Sequence, residues 1–331
     1  MDLTPRIIFW ETTRACNLHC HYCRMQKNAP VMELTTGEAK KTIEGIAEAF
    51  GAPILVLSGG EPLLRKDIYE LIAFAKRIGL PTAVATNGVL LDENVAMRLK
   101  ESGVSRVSIS LDSVNERSHD LARGLAGAFK RSQVAAGILK EKGIPFQINF
   151  TITKENQHEL RPVAKLAISL GAEAVHYFVL VPVGCGKEIP ASSMLDADGI
   201  EGVLAVIKAL SREFTIEIRP TCAPQYVRLT NDQRYRGCLA GTSTMFISAE
   251  GDIYPCGYFP VQAGSLRVLP IKDIWRDSSL FQTLRKNDLK GGCAVCDWKN
   301  ACRGCRARAY GMTGDYLAGD TTCAHARAVT V

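Results

Sequence analysis

Within TRACNLHCHYCR, residues 13–24, Cys16, Cys20 and Cys23 present three thiols in eight positions, and no further cysteine follows until Cys185. Thiolates at this spacing suit three corners of a cuboidal iron–sulfur cluster, with one iron left for another ligand. Two further readings stay open on spacing alone: a tetrahedral zinc site completed by His19 or His21, or thiols that are simply buried. A second chemistry-bearing stretch is SGGEP, with Gly59, Gly60 and Glu61. Paired glycines let backbone come close to a ligand, and a glutamate is an acceptor for an ammonium group. The remaining cysteines crowd toward the C-terminus: Cys222, Cys238, Cys256 (closing a Gly-x4-Cys), Cys293-x2-Cys296-x5-Cys302-x2-Cys305, and Cys323. Cys293, Cys296, Cys302 and Cys305 also read as a zinc knuckle.

Elements must deliver these residues to one place. Six β-branched runs stand out, at 6–13, 53–59, 81–87, 104–112, 144–153 and 172–182, and helix-periodic segments such as 35–50 and 129–143 separate them. Short apolar strands alternating with helices predict a parallel sheet buried on both faces. Six units in about 180 residues predict an α/β fold, a partial (β/α)6 TIM-like barrel rather than a full eight-fold one. The Cys16 loop, SGGEP, ATNG and SISLD all fall at C-terminal strand ends, where such sheets carry their chemistry. After the helical stretch 196–213 the alternation fades, so the chain divides near residue 215 into a barrel (1–215) and a cysteine-rich domain (216–331).

The totals narrow the class. The chain has 331 residues, 47% of them apolar, with no run long enough to cross a membrane. The start, MDLTPRIIFW, has neither a basic stretch nor a cleavage site, so a cytoplasmic protein is expected. Twelve cysteines in that setting point to metal or redox chemistry rather than disulfides. Residues 1–215 carry 25 basic and 24 acidic side chains, residues 216–331 carry 15 and 10, and 11 of those 15 are arginines. Arginine grips carboxylate in a fork, which suggests an acidic ligand or anionic metal–thiolate centres. No dense basic run or binding module points to nucleic acid.

Together, CxxxCxxC with an aromatic (Tyr22) before the third cysteine and GGEP after the second strand resemble the radical S-adenosylmethionine superfamily. The resemblance implies that the amino and carboxylate groups of S-adenosylmethionine chelate the open iron of a 4Fe-4S cluster. Reductive cleavage then releases a 5′-deoxyadenosyl radical. It further implies that Gly59, Gly60 and Glu61 hold the methionine amino group, and that Ser110 and Asp112 contact ribose or carboxylate. Arg123 would pair with the methionyl carboxylate, Asn149 would meet the ribose, and Val181 and Val183 would flank the adenine. The later cysteines resemble the SPASM extension, which binds one or two auxiliary 4Fe-4S clusters. By that pattern Cys293, Cys296, Cys302 and Cys323 hold one, and Cys238, Cys256 and Cys305 hold part of another, with Cys222 the nearest candidate for its fourth ligand. The commoner spacing places three residues before the position of Cys305; here there are two, Arg303 and Gly304.

FVLVPVGCGKEI, RPTCAPQYVRL and the run from Cys302 to Cys323 are similar to the tetrapyrrole-modifying branch of this group, although its strand-six loop commonly reads GRG where this chain reads GCG, with Cys185. That likeness implies oxidative decarboxylation of two propionates of iron-coproporphyrin III to vinyl groups, with a ferredoxin or flavodoxin as electron donor. Arg219, Arg228, Arg234 and Arg236 are candidates to pair with propionates, and His119, His158 or His176 to ligate the substrate iron. Other readings are another tetrapyrrole step in sirohaem or haem d1 chemistry, maturation of a ribosomal peptide or other cofactor, and a non-enzymatic electron carrier or zinc protein.

Overall fold

A computed structural model describes residues 4–25, 31–189, 191–230, 232 and 235–328. The six expected strands form in order: β1 (Ile7–Glu11), β2 (Ile54–Ser58), β3 (Thr82–Thr86), β4 (Arg106–Ser110), β5 (Phe146–Ile152) and β6 (Ala174–Val179). All are parallel neighbours, with pairings such as Trp10 to Leu57 and Ser110 to Asn149. Helices return each strand to the same end: α1 (Thr36–Phe50), α2 (Ile68–Arg77), α3 (Glu93–Ser102), α4 (Glu116–Arg123), α5 (Ala128–Glu141), α6 (Leu160–Leu170) and α7 (Ala197–Glu213). Their ends follow from local chemistry. Thr35 and Glu38 form a reciprocal capping box at α1, Asp92 caps α3, and Gly103, in the left-handed region, terminates it.

Strand alternation separates two faces. Ile8, Trp10, Leu55, Leu57, Val107, Ile109, Ile148, Phe150, Val175 and Tyr177 are at most 1% exposed and pack in one core with the helices. The alternate residues face the concave side, where register aligns Ser110, Asn149, His176 and Arg219 in one row across four strands.

Two more strands join this parallel set from beyond residue 215: β7 (Glu217–Thr221) beside β6, and β8 (Thr244–Ile247) beside β1. Neither has a clear signature. β7 reads EIRPT and holds a proline, which an edge strand tolerates, and β8 has four residues, all buried. Antiparallel β9 (Asp252–Tyr254) and β10 (Gly264–Ser265) complete the order β10-β9-β8-β1-β2-β3-β4-β5-β6-β7. The cysteine-rich part adds short helices: α8 (Ile271–Asp277), α9 (Ser279–Lys286), α10 (Lys299–Cys302), α11 (Arg306–Thr313) and α12 (Ala324–Ala328). No helix among the described residues is long and apolar enough to cross a membrane.

Candidate active site

The three-cysteine loop leaves the C-terminal end of β1 and is fastened by backbone. Gly60 N–H donates to Thr13 O and Glu61 N–H to Ala15 O, both at 2.8 Å. A Cβ on Gly59 would lie 2.5 Å from Thr13 O, and one on Gly60 2.3 Å from Ala15 O. The paired glycines therefore admit the cysteine loop itself. On its other side, His19 and His21 N–H groups donate to the Arg123 and Ala122 carbonyls at the end of α4, both at 3.2 Å. A third clamp comes from the loop after β6. Cys185 N–H donates to Cys23 O at 2.9 Å, its thiol to Met25 O at 3.2 Å, and a Cβ on Gly184 would stand 2.2 Å from Arg24 O. Cys185 is a strut of the loop.

Glu61 is fully buried. Its carboxylate accepts from Leu63 N at 3.2 Å, Thr86 Oγ1 at 2.7 Å and Asn87 N at 2.8 Å, tying the end of β2 to the end of β3. Burial, opposed by these donors, pushes its pKa up to about 7. Three protein donors thus engage its two oxygens.

Asp112, Arg123, Tyr22 and Cys20 form one network. Asp112 Oδ2 accepts from the Tyr22 hydroxyl and pairs with Arg123 Nη2, while Oδ1 accepts from Thr151 N at 2.7 Å. Arg123 Nη1 lies 3.7 Å from Cys20 Sγ. Burial lowers the Arg123 pKa, but Asp112, Tyr22 and Cys20 more than offset that, and burial pushes the Tyr22 phenol well up. The sequence sends Asp112 and Arg123 separately to a ligand; the structure makes them each other's partner, under Cys20. Ser110 and Asn149 lie side by side in the concave row, and Gln147 Nε2 donates to Asn149 Oδ1 at 2.9 Å.

The candidate iron-ligating histidines separate. His119 is buried, its Nδ1 accepts from Asp112 N at 3.1 Å, and burial drives its pKa down to about 4. His158 is exposed. His176 faces the concave side, with Nδ1 3.0 Å from Gln147 Nε2 and Nε2 buried without a partner among the described residues. The arginines separate too: Arg219 pairs with Glu217 at 3.1 Å, Arg228 with Glu201 at 2.7 Å, Arg236 is exposed, and Arg234 lies outside the described residues.

The later cysteines gather into two groups of four. Cys293, Cys296, Cys302 and Cys323 line one cavity, with Asp320 and Arg228 on its wall. Cys222, Cys238, Cys256 and Cys305 interact with one another at the end of β7; burial first, and then these thiols, raise the Cys222 pKa well above its usual value. Cys222 joins them from a left-handed backbone (φ 58°). The short Cys302–Cys305 spacing is met by two consecutive left-handed residues, Arg303 (φ 68°) and Gly304 (φ 58°), so Cys302 turns to one group and Cys305 to the other. A Cβ on Gly304 would lie 3.1 Å from Cys293 Sγ. Val181 and Val183 pack with Phe259 and Cys305 in a small apolar cluster behind the second group.

Residues without a sequence signal stitch the groups together. Asp320, 2% exposed, accepts from Cys305 N at 3.0 Å with its side chain and donates its own N–H to Cys293 Sγ at 3.4 Å. Arg308 donates to Cys222 O at 2.8 Å and pairs with Asp320 at 3.4 Å, and Arg306 Nη2 lies 3.8 Å from Cys293 Sγ. These donor sets fit iron–sulfur clusters: two all-thiol quartets, with buried guanidinium groups to balance the thiolate charge. Among the described residues no three His, Cys, Asp or Glu side chains close round a single ion.

The comparisons with known proteins agree. The radical SAM superfamily profile matches residues 10–167, and an iron–sulfur cluster-binding (SPASM) domain profile matches residues 238–306. The chain is 41% identical to an AdoMet-dependent heme synthase of Methanosarcina barkeri, covering 98% of this chain and 97% of that one. It is 38% identical to an AdoMet-dependent heme synthase of Nitratidesulfovibrio vulgaris, covering 97% and 93%. Among solved structures, native anSMEcpe with bound AdoMet superposes with a TM-score of 0.76 over 98% of this chain and 96% of that one, at 18% identity, a likeness of fold. A three-cysteine loop fastened at the end of β1, with cysteine quartets at the sheet's far edge, is therefore the framework of a radical SAM enzyme with a C-terminal SPASM domain, and this chain belongs to that family.

Proposed function

We propose that this enzyme oxidatively decarboxylates propionate side chains of iron-coproporphyrin III to vinyl groups, in the cytoplasm, drawing electrons from a ferredoxin or flavodoxin. The observation that carries the reading is the 41% identity, over nearly the full length of both chains, to a protein named AdoMet-dependent heme synthase. In the assignment proposed here, Cys16, Cys20 and Cys23 hold the first cluster, and the backbone of Gly59, Gly60 and Glu61, with Ser110 and Asn149, lines the S-adenosylmethionine site. Bound there, S-adenosylmethionine at a reduced cluster supplies a 5′-deoxyadenosyl radical that takes hydrogen from carbon.

The chain's own residues set the stage for that chemistry. Arg123 places an N–H donor on Cys20 Sγ, and such donors stabilise thiolate charge. Asp112 and the Tyr22 hydroxyl hold the guanidinium in position. Glu61 closes the floor between β2 and β3 without adding a full charge near pH 7. Cys293, Cys296, Cys302 and Cys323 are assigned to one auxiliary cluster, and Cys222, Cys238, Cys256 and Cys305 to a second, each a place for the electron that leaves with every carbon dioxide. The division near residue 215 separates radical formation from this electron storage, although β7 and β8 lie in the same sheet as the barrel strands.

The test is an anaerobic incubation of reconstituted, reduced enzyme with S-adenosylmethionine and iron-coproporphyrin III, followed by mass spectrometry. The expected result is stepwise loss of two porphyrin carboxyl groups. An unchanged porphyrin alongside released 5′-deoxyadenosine would direct the search to sirohaem derivatives and then to peptides.

A further inference from the structure

Arg24 directly follows the third cysteine of the loop and turns back into the concave side of the sheet. Its Nη1 pairs with Glu11 Oε2 at 3.0 Å, and its guanidinium carbon sits 4.4 Å over the Phe246 ring. Glu11 on β1 and Phe246 on β8 share the concave face, since Phe246 pairs with Phe9, and Phe9 and Glu11 alternate with buried Trp10. A Cβ on Gly257 would lie 3.2 Å from the Phe246 ring and in ordinary contact, 3.8 Å, with Arg24 Cδ, so Gly257 borders both. The Arg24 side chain is 18% exposed, yet its Nη2 is buried and has no hydrogen-bond partner among the described residues. A guanidinium with one arm engaged and the other arm dry and empty is a fork waiting for a carboxylate.

Tyr258 lies beside it. It follows Gly257, whose Cβ position lies 3.8 Å from the Arg24 stem. It also packs against the apolar cluster of Val181, Val183 and Phe259. Tyr258 thus joins the Arg24 stem to Cys222 and Cys256, which pack against the same cluster.

We infer that Arg24, with the Tyr258 hydroxyl beside it, is the anchor for a carboxylate of a polycarboxylate substrate, held between Cys23 and the Cys222–Cys256 pair. The inference rests on the porphyrin reading above and names the residues that read its propionates. Arg24, Arg219 and Arg228 each pair with a carboxylate, but the buried nitrogen left without a hydrogen bond is the inner Nε in Arg219 and Arg228 and the terminal Nη2 in Arg24. Glu11 and the Phe246 ring hold the guanidinium from two sides and leave Nη2 without a hydrogen bond among the described residues. Lysine at this position would keep the charge and lose the fork.

The experiment titrates iron-coproporphyrin III, and separately its tetramethyl ester, into anaerobic reconstituted wild type, Arg24→Gln, Arg24→Lys and Tyr258→Phe, following the porphyrin absorbance band. S-adenosylmethionine binding and iron content are measured on the same samples. The assignment predicts binding of the acid weakened about tenfold or more in Arg24→Gln, with a smaller loss in Arg24→Lys and Tyr258→Phe. It predicts that the ester binds wild type and Arg24→Gln alike, and that iron content and S-adenosylmethionine affinity stay within about twofold of wild type. Equal binding of the acid by wild type and Arg24→Gln overturns the assignment and leaves the porphyrin reading standing. A matching loss of S-adenosylmethionine affinity overturns it in favour of the methionyl carboxylate. A wild type that binds neither porphyrin overturns the porphyrin reading and the anchor together.

Discussion

Cys16, Cys20 and Cys23 ride on a partly exposed loop, fastened by backbone hydrogen bonds to SGGEP, α4 and the loop after β6. Cys293, Cys302, Cys305 and Cys323 are 6–8% exposed and are held by side chains, with Asp320, Arg306 and Arg308 buried among them. In the assignment proposed above, the first arrangement would leave a cluster with an open iron and room for a ligand. The second surrounds its groups with four thiols each and with fixed charges, which suits storing an electron rather than binding a substrate. In the proposed assignment the same side chain does two jobs, distinguished by how many thiols converge and by which side chains hold them.

Removing a ligand should break this contrast most sharply. Cys20→Ala is expected to abolish 5′-deoxyadenosine formation while keeping the auxiliary iron. Cys302→Ala is expected to keep deoxyadenosine formation, lose about four iron atoms per chain and stop porphyrin turnover. Deoxyadenosine by chromatography and iron by colorimetry check both, and loss of deoxyadenosine in Cys302→Ala as complete as in Cys20→Ala would erase the distinction. A smaller effect is expected for Arg123→Gln, which leaves Asp112 buried without its cation and Cys20 without its donor. Loss of such a buried charged pair costs about 3 kcal/mol or more. Deoxyadenosine release should fall by about a hundredfold, and the midpoint potential of the first cluster alone should drop.

The six barrel strands were legible because strands buried on both faces read as continuous apolar runs. β7 and β8 were not: an edge strand with Pro220 and a four-residue strand carry too little pattern, and their place depends on neighbours far away in sequence. That gap also explains why Cys222 stood only as a candidate fourth ligand, since β7 is what carries it to Cys238, Cys256 and Cys305. The chemistry of SGGEP was visible, but not that its glycines admit Thr13 and Ala15, nor that Glu61 faces Thr86 and Asn87. Arg24 and Tyr258, one position after Cys23 and two after Cys256, had a signal in their closeness to ligand cysteines. Asp320 and Arg308 had none, because tertiary packing alone brings them to both quartets.

Two milder substitutions sharpen the comparison. Glu61 is a carboxylate whose folded pKa, about 7, lies above its ordinary 4.5, so the folded state holds the proton more tightly. Its contribution to stability is full below about pH 4.5 and is lost as pH rises through about 7, a change of about 3 kcal/mol. The stability of wild type relative to Glu61→Gln should therefore decline across that window and level off above it, as read from melting temperatures of the anaerobic holoenzyme. A difference that is flat with pH would mean that Glu61 is ionised throughout. Asp320→Asn removes a carboxylate that accepts from Cys305 N and belongs to a residue lining the cavity of the other quartet, and is expected to raise the midpoint potentials of both auxiliary clusters while leaving the first cluster unchanged. A redox titration followed by electron paramagnetic resonance reads this directly, and a shift of one auxiliary cluster only would show that Asp320 is not shared.

The most direct test of the central claim uses iron-coproporphyrin III deuterated at the propionate β-carbon, next to the ring. Incubated with the reduced holoenzyme and S-adenosylmethionine, it should yield 5′-deoxyadenosine carrying one deuterium for each carbon dioxide lost. Unlabelled deoxyadenosine, with the porphyrin carboxylates intact, would contradict the assignment of this porphyrin as substrate.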